Sequence, residues 1–260
     1  PVNSTTRYGF WNLSGEIRPS LLKLRSLTHL DLSFNTFQDI PIPYFFGSLR
    51  NLQYMNLSKA GFTGIIPPSL GNLSSLQYLD VSSELSTLSV DNFQWVGGLV
   101  SLKHLEMNQV DLSLVHSDFF HVLNMLPNIT ELHFETCSLS GSLSSLSVVN
   151  FTSLAVLDLS FNGLDSIPDW LVNISSLEYV DFDSCQLRGR IPLGLAELPR
   201  LRYLDLALNH NLSASCSELF KGSWKSIEVL SLSSNKLHGK LPANVGNMTS
   251  LTHFDLSVNN

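Results

Sequence analysis

The sequence predicts an α/β solenoid in which short strands stack side by side into one parallel sheet. Three observations predict it. An eleven-residue pattern recurs ten times, each copy alternates apolar and polar residues, and successive copies start 23 to 27 residues apart. One copy is too short to bury its own apolar row, whereas neighbouring copies stacked in parallel share a continuous core.

The recurring pattern is L-x-x-L-x-L-x-x-N/C-x-L, and the stretch from Leu27 to Phe37 is its clearest copy. This is the leucine-rich-repeat signature, and its period-two alternation predicts a short strand in every copy. We therefore predict a leucine-rich-repeat horseshoe, with a parallel sheet on its concave face and short helical or 3-10 returns on its convex face. We expect a single domain, 1–260, with repeats that start at 27, 52, 76, 102, 129, 154, 177, 201, 227 and 251.

Both ends of the chain interrupt the pattern. Residues 1–26 hold a partial repeat, and the tenth copy stops just after its Asn position. The ends of a solenoid need caps that cover apolar surface and strand edges. We find no such segment at either end, and we expect the chain to be a fragment of a longer solenoid.

The ninth position of the repeat carries a polar residue that can serve the backbone. It is Asn or Cys in seven copies: Asn35, Cys137, Asn162, Cys185, Asn209, Asn235 and Asn259. A buried Asn there can satisfy the turn that leaves each strand. Three copies carry Ala60, Glu84 and Val110 instead. Since a buried unpaired carboxylate is costly, we expect that turn to be rebuilt with Glu84 in solvent.

The three cysteines cannot all pair with one another. Cys137 and Cys185 occupy the same repeat position two strands apart, which is beyond the reach of a disulfide. We expect both to be buried thiols. For Cys216 two readings stay open, a free thiol and a disulfide to a segment outside this chain.

Composition limits the class of function. The net charge of −7 argues against nucleic-acid binding, and no run of 18 apolar residues predicts a membrane span. We expect no signal peptide within the residues that begin at Pro1. Asn-x-Ser/Thr sequons are more frequent than composition alone would give, which predicts an extracellular, glycosylated protein. The predicted glycosylation sites are Asn3, Asn12, Asn56, Asn72, Asn128, Asn150, Asn173, Asn211 and Asn247.

The predicted concave face is acidic. If the leucines point inward, this face receives 13 of the 22 acidic residues and only four of the 15 basic ones, Lys59, Lys103, Arg202 and Lys236. Such a field favours a basic or hydrogen-bonding partner. An alternative of equal weight is that Asp is the usual residue of this repeat at these positions.

The third repeat position forms a second column on the same face, rich in Tyr and His. Exposed Tyr is a residue type that dominates binding energy at interfaces. Tyr179 and Tyr203 on adjacent strands are the best candidates, although a ladder of cross-strand neighbours explains them as well. The predicted ligand-binding residues are His104, Glu106, His133, Glu135, Tyr179, Asp181, Tyr203 and Asp205.

Two further expectations concern this face. Four of the eight histidines lie on it (His29, His104, His133 and His253), so affinity for a ligand should change between about pH 5 and 6. A glycan at Asn56 would project into the concavity and would direct a ligand to repeats four to eight.

Several segments outside the repeat core resemble one family. Copies of Leu-x-Gly-x-Ile/Leu-Pro follow the strands at 62–67, 187–192 and 237–242, and 40–49, 92–105 and 120–132 are also similar. They resemble plant extracellular leucine-rich-repeat receptor-like proteins, of the type that perceives a fungal ethylene-inducing xylanase. The resemblance implies a cell-surface protein with one membrane span and no kinase, which signals through a partner receptor kinase in plant defence.

No catalytic chemistry is predicted. Asp158, Asp181 and Asp205 should stand roughly 5 Å apart, near the separation in a retaining glycosidase. A glycosidase needs one carboxyl with a raised pKa in an apolar pocket, and a periodic row on an open sheet predicts neither. Catalytic motifs are absent from the sequence, and we expect no enzyme, no cofactor and no metal site.

Two other functions stay open. A secreted inhibitor of microbial cell-wall hydrolases, similar to the polygalacturonase-inhibiting proteins, shares the plant repeat, but its repeats hold closely to 24 residues. The ectodomain of a leucine-rich-repeat receptor kinase also fits, because the kinase would lie beyond this chain.

Overall fold

Ten parallel strands form one sheet in the computed structural model, which describes residues 12–37, 40–115, 119–143 and 146–259. The strands lie in the sheet in the order in which they follow along the chain. The predicted glycosylation site Asn3 lies outside the described residues. The strands are β1 (His29–Asp31), β2 (Tyr54–Asn56), β3 (Tyr78–Asp80), β4 (His104–Glu106), β5 (Glu131–His133), β6 (Val156–Asp158), β7 (Tyr179–Asp181), β8 (Tyr203–Asp205), β9 (Val229–Ser231) and β10 (His253–Asp255).

Each strand begins two residues after the predicted start of its repeat. The middle residue of the strand points into the core and is buried from β1 to β9, as Leu132 and Leu157 illustrate in paired register. The residues on either side, at the third and fifth repeat positions, therefore face the other way, onto the concave surface. The predicted parallel sheet and its inward leucines are confirmed.

Short extended segments pair a second time on the flank of the solenoid. Gly64–Ile65 pairs with Leu88–Ser89, Ser140–Gly141 pairs with Gly163–Leu164, and Arg188–Arg190, Asn211–Ser215 and Lys236–His238 form a three-stranded ladder. These ladders contain the Leu-x-Gly-x-Ile/Leu-Pro copies. Gly189 has a φ of +87° in that motif, a conformation that costs other residues energy. The sequence predicts the turn there but not the ladder.

Single turns of 3-10 helix return the chain, as predicted. They are Pro19–Lys23, Tyr44–Ser48, Pro68–Asn72, Gln94–Gly98, Asp169–Asn173, Leu193–Glu197 and Ala243–Asn247, with two short helices, α1 (Phe119–Leu123) and α2 (Cys216–Leu219). Neighbouring turns stack closely, and a Cβ on Gly71 would overlap the carbonyl oxygen of Trp95 in the next turn. Glycine at this position is therefore required by packing.

The Asn column closes the turns that leave the sheet. The Oδ1 atom of Asn209 accepts hydrogen bonds from the backbone N–H groups of Cys185 (3.1 Å) and Leu187 (2.9 Å) in the preceding repeat. Its Nδ2 donates to three backbone carbonyls, among them Phe182 O at 2.9 Å. One fully buried side chain thus ties two repeats together, as the sequence predicts.

The third copy rebuilds this turn without Asn, also as predicted. Ser83 is buried in place of the amide, and its Oγ accepts the backbone N–H of Thr87 at 3.1 Å. The Thr87 hydroxyl in turn donates to Phe62 O at 2.9 Å. Glu84 lies exposed beside this turn, so its carboxylate remains hydrated.

All three cysteines are free and buried. The Cys137 thiol donates to Met107 O at 3.1 Å and the Cys185 thiol to Leu159 O at 2.9 Å, so each replaces part of what Asn does elsewhere. Burial raises the pKa of both thiols to about 12. These thiols are therefore structural and unreactive.

Candidate functional site

A column of stacked rings runs along the first half of the concave face. The ring centroids of His29 and Tyr54 lie 4.0 Å apart, those of Tyr54 and Tyr78 4.4 Å, and those of Tyr78 and His104 4.3 Å. The planes differ by 12° or less. Parallel pairing in register places equivalent residues side by side, and the stack limits their rotation. This column, at the third repeat position, is a rigid aromatic surface.

The acidic row at the fifth repeat position has a structural role. In seven copies the carboxylate or amide oxygen accepts the backbone N–H two residues later, at 2.8 to 3.0 Å. This Asx turn directs the chain out of the strand. The acceptors are Asp31, Asn56, Asp80, Asp158, Asp181, Asp205 and Asp255. Turn geometry therefore explains part of the acidity of this face.

Four of the predicted residues meet in what we call the Tyr–Asp cluster, Tyr179, Asp181, Tyr203 and Asp205. The two tyrosine rings stack with centroids 4.1 Å apart and planes 8° apart. Tyr179 donates its hydroxyl to Asp181 Oδ2 at 3.1 Å, and the Tyr203 hydroxyl lies 3.5 Å from the Oδ2 atoms of Asp181 and Asp205. The two rings thus cover a carboxylate that is only 8% exposed.

Asp181 differs from its neighbours in the acidic row. Burial, together with the flanking carboxylates Asp158 and Asp205, raises the pKa of Asp181 to about 7, although the backbone N–H of Asp183 acts in the opposite direction. Burial also raises the pKa of Tyr203 to about 12. The sequence predicts equivalent carboxyl groups here, but the tyrosine rings create an asymmetry. The carboxylate oxygens of Asp181 accept hydrogen bonds from the Asp183 N–H and the Tyr179 hydroxyl.

A second group, the His–Glu cluster, lies on β4 and β5 and consists of His104, Glu106, Glu131 and His133. His104 pairs with Glu131 and Glu106 with His133 in the register of the two strands. His104 Nδ1 lies 2.7 Å from Glu131 Oε2, and His133 Nε2 lies 3.8 Å from the same oxygen. His104 Nε2 is 3.5 Å from Glu106 Oε2.

The carboxylates of this cluster control the charge of His104. Burial alone would lower the pKa of His104, but Glu106 and Glu131 outweigh it, so the pKa is raised. Contact with His104 lowers the pKa of Glu106 against the opposing effect of burial, with a further contribution from His133. The imidazole and the carboxylates therefore stabilise each other's charged forms.

Seven of the eight predicted ligand-binding residues thus fall into two clusters rather than one surface, and Glu135 belongs to neither cluster. Strand β6, with Val156 and Asp158, separates them. Glu135 follows β5 and is half-buried, and burial raises the pKa of its carboxyl, with Asp158 and Glu106 adding to the shift. Glu131 connects both histidines, and the sequence places it on the concave face, but it is not among the predicted ligand-binding residues. Its position opposite His104 in the repeat register could have identified it as a neighbour of that histidine.

Among the described residues, the acids around the Tyr–Asp cluster form no ion pair with a basic side chain. In the ranges that the structure describes, no lysine or arginine forms an ion pair with Asp158, Asp181 or Asp205. The two arginine ion pairs, Arg18 with Glu16 and Arg202 with Glu228, are solvent-exposed and lie elsewhere. The negative charge of the cluster is available to a bound molecule.

The described asparagines of the predicted sequons are mostly exposed. Asn12, Asn72, Asn128, Asn150, Asn173, Asn211 and Asn247 are exposed, and Asn56 is half-buried on β2. Asn56 Oδ1 accepts the N–H and the hydroxyl of Ser58 at 2.9 and 2.7 Å. Asn56 Nδ2 has one long contact of 3.4 Å to the Tyr54 hydroxyl.

Ten in-register strands, an Asn column and a solvent-facing concave sheet define a leucine-rich-repeat solenoid. The leucine-rich repeat region family matches residues 9–260, and the chain belongs to this family.

The chain is also similar to plant receptor-like proteins. It is 36% identical to receptor-like protein EIX1 of Solanum lycopersicum over 203 residues, which cover 76% of the chain and 19% of EIX1. It is 35% identical to receptor-like protein EIX2 of the same species over 251 residues, which cover 84% of the chain and 24% of EIX2. The chain spans about a fifth to a quarter of the length of these relatives. The resemblance inferred from the sequence is confirmed.

A solved structure shows the same architecture. The crystal structure of PEPR1–AtPEP1 superposes on this chain with a TM-score of 0.75 at 30% identity. The matched region covers 96% of this chain and 37% of the chain in that crystal structure. Among the described residues, no helix is long and apolar enough to cross a membrane.

Proposed function

We propose that this chain is the ligand-recognition part of a plant cell-surface receptor-like protein that binds a protein or peptide on its concave face. The similarity to the EIX receptor-like proteins supports a microbial elicitor as the ligand and defence signalling as the outcome. Because the chain spans only part of these relatives, the ten repeats form one recognition domain within a longer solenoid. A membrane span outside this chain anchors it at the cell surface, and a receptor kinase is the signalling partner.

One observation carries this proposal, the stacked tyrosine pair over Asp181. Its rings are half-buried and held by stacking, so a ligand that packs on them orders few additional side chains. Tyrosines of this kind provide apolar contact and a hydrogen-bonding hydroxyl in one side chain. The neighbouring acids Asp158 and Asp205 are half-buried and, among the described residues, form no ion pair, so a lysine or arginine of the ligand can pair with them.

Glycosylation limits where the ligand binds. We expect a glycan on each described sequon, including Asn56, because its Nδ2 can be substituted while Oδ1 keeps both bonds to Ser58. The glycan at Asn56 then covers the concave face at β2, and the ligand occupies β4 to β8. Peptide mapping by mass spectrometry, after enzymatic deglycosylation in heavy-oxygen water, measures occupancy. An unmodified Asn56 would contradict this and would leave β1 to β3 open to the ligand.

The experiment separates recognition from inhibition. The chain, secreted from plant cells, is immobilised, and binding of a fungal ethylene-inducing xylanase is measured together with its hydrolysis of xylan. We expect saturable binding and unchanged hydrolysis, since a receptor only needs to hold its ligand. Hydrolysis that falls in proportion to binding supports the inhibitor function instead. Absence of binding to this xylanase and to other secreted fungal proteins contradicts the proposal.

The receptor-kinase alternative is tested by the coding sequence downstream of residue 260. An apolar span of roughly 20 residues followed by a short tail supports the receptor-like protein. A kinase after the span supports the alternative.

A further inference from the structure

The His–Glu cluster brings together side chains that bind transition metals. His104, Glu131 and His133 each offer one ligand atom, and these three atoms lie within 4.8 Å of one another. Two imidazoles and one carboxylate form a ligand set typical of zinc sites that keep an open fourth position. From this geometry, we propose that His104, Glu131 and His133 bind one divalent transition-metal ion, with zinc as the best fit, on the concave face between β4 and β5.

The ligands come from rigid, adjacent positions. Glu131 stands opposite His104 across the two strands, and His133 follows Glu131 by two residues on the same face. The His104 ring is stacked against Tyr78 at 4.3 Å and is only 17% exposed, so it has little freedom to turn away. Sites built on strands in this way hold their ligands more accurately than sites on loops.

A carboxylate also lies near the other ring nitrogen of His104. Its Nε2 is buried and makes no hydrogen bond, although Glu106 Oε2 lies 3.5 Å away. A histidine that binds a metal through one nitrogen usually donates the other N–H to a carboxylate. A proton on Nε2 directed at Glu106 leaves the Nδ1 lone pair free for the ion. Asn108 Nδ2 orients this carboxylate through a hydrogen bond of 2.9 Å to Glu106 Oε1.

The three ligand atoms must adjust their positions slightly to bind an ion. A tetrahedral ion with bonds of about 2.0 to 2.1 Å places its ligand atoms roughly 3.4 Å apart. Glu131 Oε2 lies 2.7 Å from His104 Nδ1 and 3.8 Å from His133 Nε2, so the first distance must lengthen by about 0.7 Å and the second must shorten by about 0.4 Å to complete the site. A tetrahedral ion held by three side chains keeps a fourth position for water or for a donor group of a bound ligand. The ion would also offset the two negative charges of Glu106 and Glu131.

Titration with zinc alone tests this site independently of the proposed function. The full chain, purified without a histidine tag and stripped with a chelator, is titrated with ZnCl2 in a calorimeter. We expect one Zn²⁺ per chain and an affinity at least tenfold weaker for His133→Gln and for Glu131→Gln. The control His253→Gln, which changes another concave histidine on β10, should bind Zn²⁺ like the unchanged chain.

A second readout covers variants that fold poorly. Co²⁺ bound in place of Zn²⁺ should give a visible absorption spectrum in the unchanged chain, and Zn²⁺ should abolish it. Circular dichroism reports whether each variant keeps its fold. The proposal is overturned if the unchanged chain shows no saturable binding, or if correctly folded His133→Gln and Glu131→Gln bind Zn²⁺ as tightly as the control.

Discussion

Asn209→Ala should lower the melting temperature of the chain by roughly 10 °C. The side chain is fully buried and makes five hydrogen bonds to the backbone of two repeats. Alanine leaves the N–H groups of Cys185 and Leu187 without acceptors, and each buried unpaired group costs about 1–3 kcal/mol. A loss of about 3–4 kcal/mol corresponds to roughly 10 °C for a chain of this size. Thermal unfolding followed by circular dichroism measures it.

Asn235→Ala is the matched control. Asn235 donates to three carbonyls in the same way, but its Oδ1 is buried and accepts no hydrogen bond. Replacement by alanine therefore leaves no N–H group without its acceptor. Unpaired carbonyls are tolerated better than unpaired N–H groups. We expect a clearly smaller decrease for this variant. Equal decreases for the two variants would show that bonds from Oδ1 to the preceding repeat do not stabilise the solenoid.

Asp181→Asn should make the chain more stable relative to the unchanged protein as the pH rises. The pKa of Asp181 is raised to about 7 by burial, then by Asp158 and Asp205, while Tyr179 donates to it. For a raised pKa, the stability contribution is fully present below the ordinary value, 3.8, and is lost as pH rises through about 7. At pH 8 the buried carboxylate costs roughly 4 kcal/mol, which asparagine avoids. The difference in melting temperature between variant and unchanged chain should grow by several degrees from pH 4 to pH 8.

Asp255→Asn provides a control of opposite sign at the same repeat position. The backbone N–H of Ser257 lowers the pKa of Asp255, so its contribution is present above the ordinary pKa and is lost in acid. Asparagine should therefore give no gain at pH 8. A pH-independent effect of Asp181→Asn would show that this carboxyl titrates normally and that the tyrosine pair does not shield it.

The sequence alone predicts where each strand begins and which residues lie side by side on neighbouring strands. Leucine periodicity determines which residues are buried, so the strand starts, the Asn column and the exposed Glu84 follow directly from the sequence. Tyr179 and Tyr203 are neighbours for the same reason, because equivalent positions align across parallel strands. These features depend on the repeat register, which can be read directly from the spacing of the leucines in the sequence.

Other features depend on side-chain conformations that the register leaves open. Asp158, Asp181 and Asp205 look equivalent in sequence, yet only Asp181 lies beneath two tyrosine hydroxyls. His104 could contact Glu106 or Glu131, and the structure shows that it lies between them. The flank ladders are not predicted either, because Arg188–Arg190 has no apolar residue and the alternation in Lys236–His238 is only three residues long.

Affinity for a fungal ethylene-inducing xylanase tests the central claim that ligands bind at the Tyr–Asp cluster. The measurement compares the unchanged chain with the double variant Tyr179→Ala and Tyr203→Ala, and with Tyr44→Ala. Tyr44 is the control, because it is 71% exposed on a convex 3-10 turn. We expect roughly 30-fold weaker binding for the double variant, the effect of losing an interface anchor, and unchanged binding for Tyr44→Ala. Undiminished affinity of a correctly folded double variant would contradict the account.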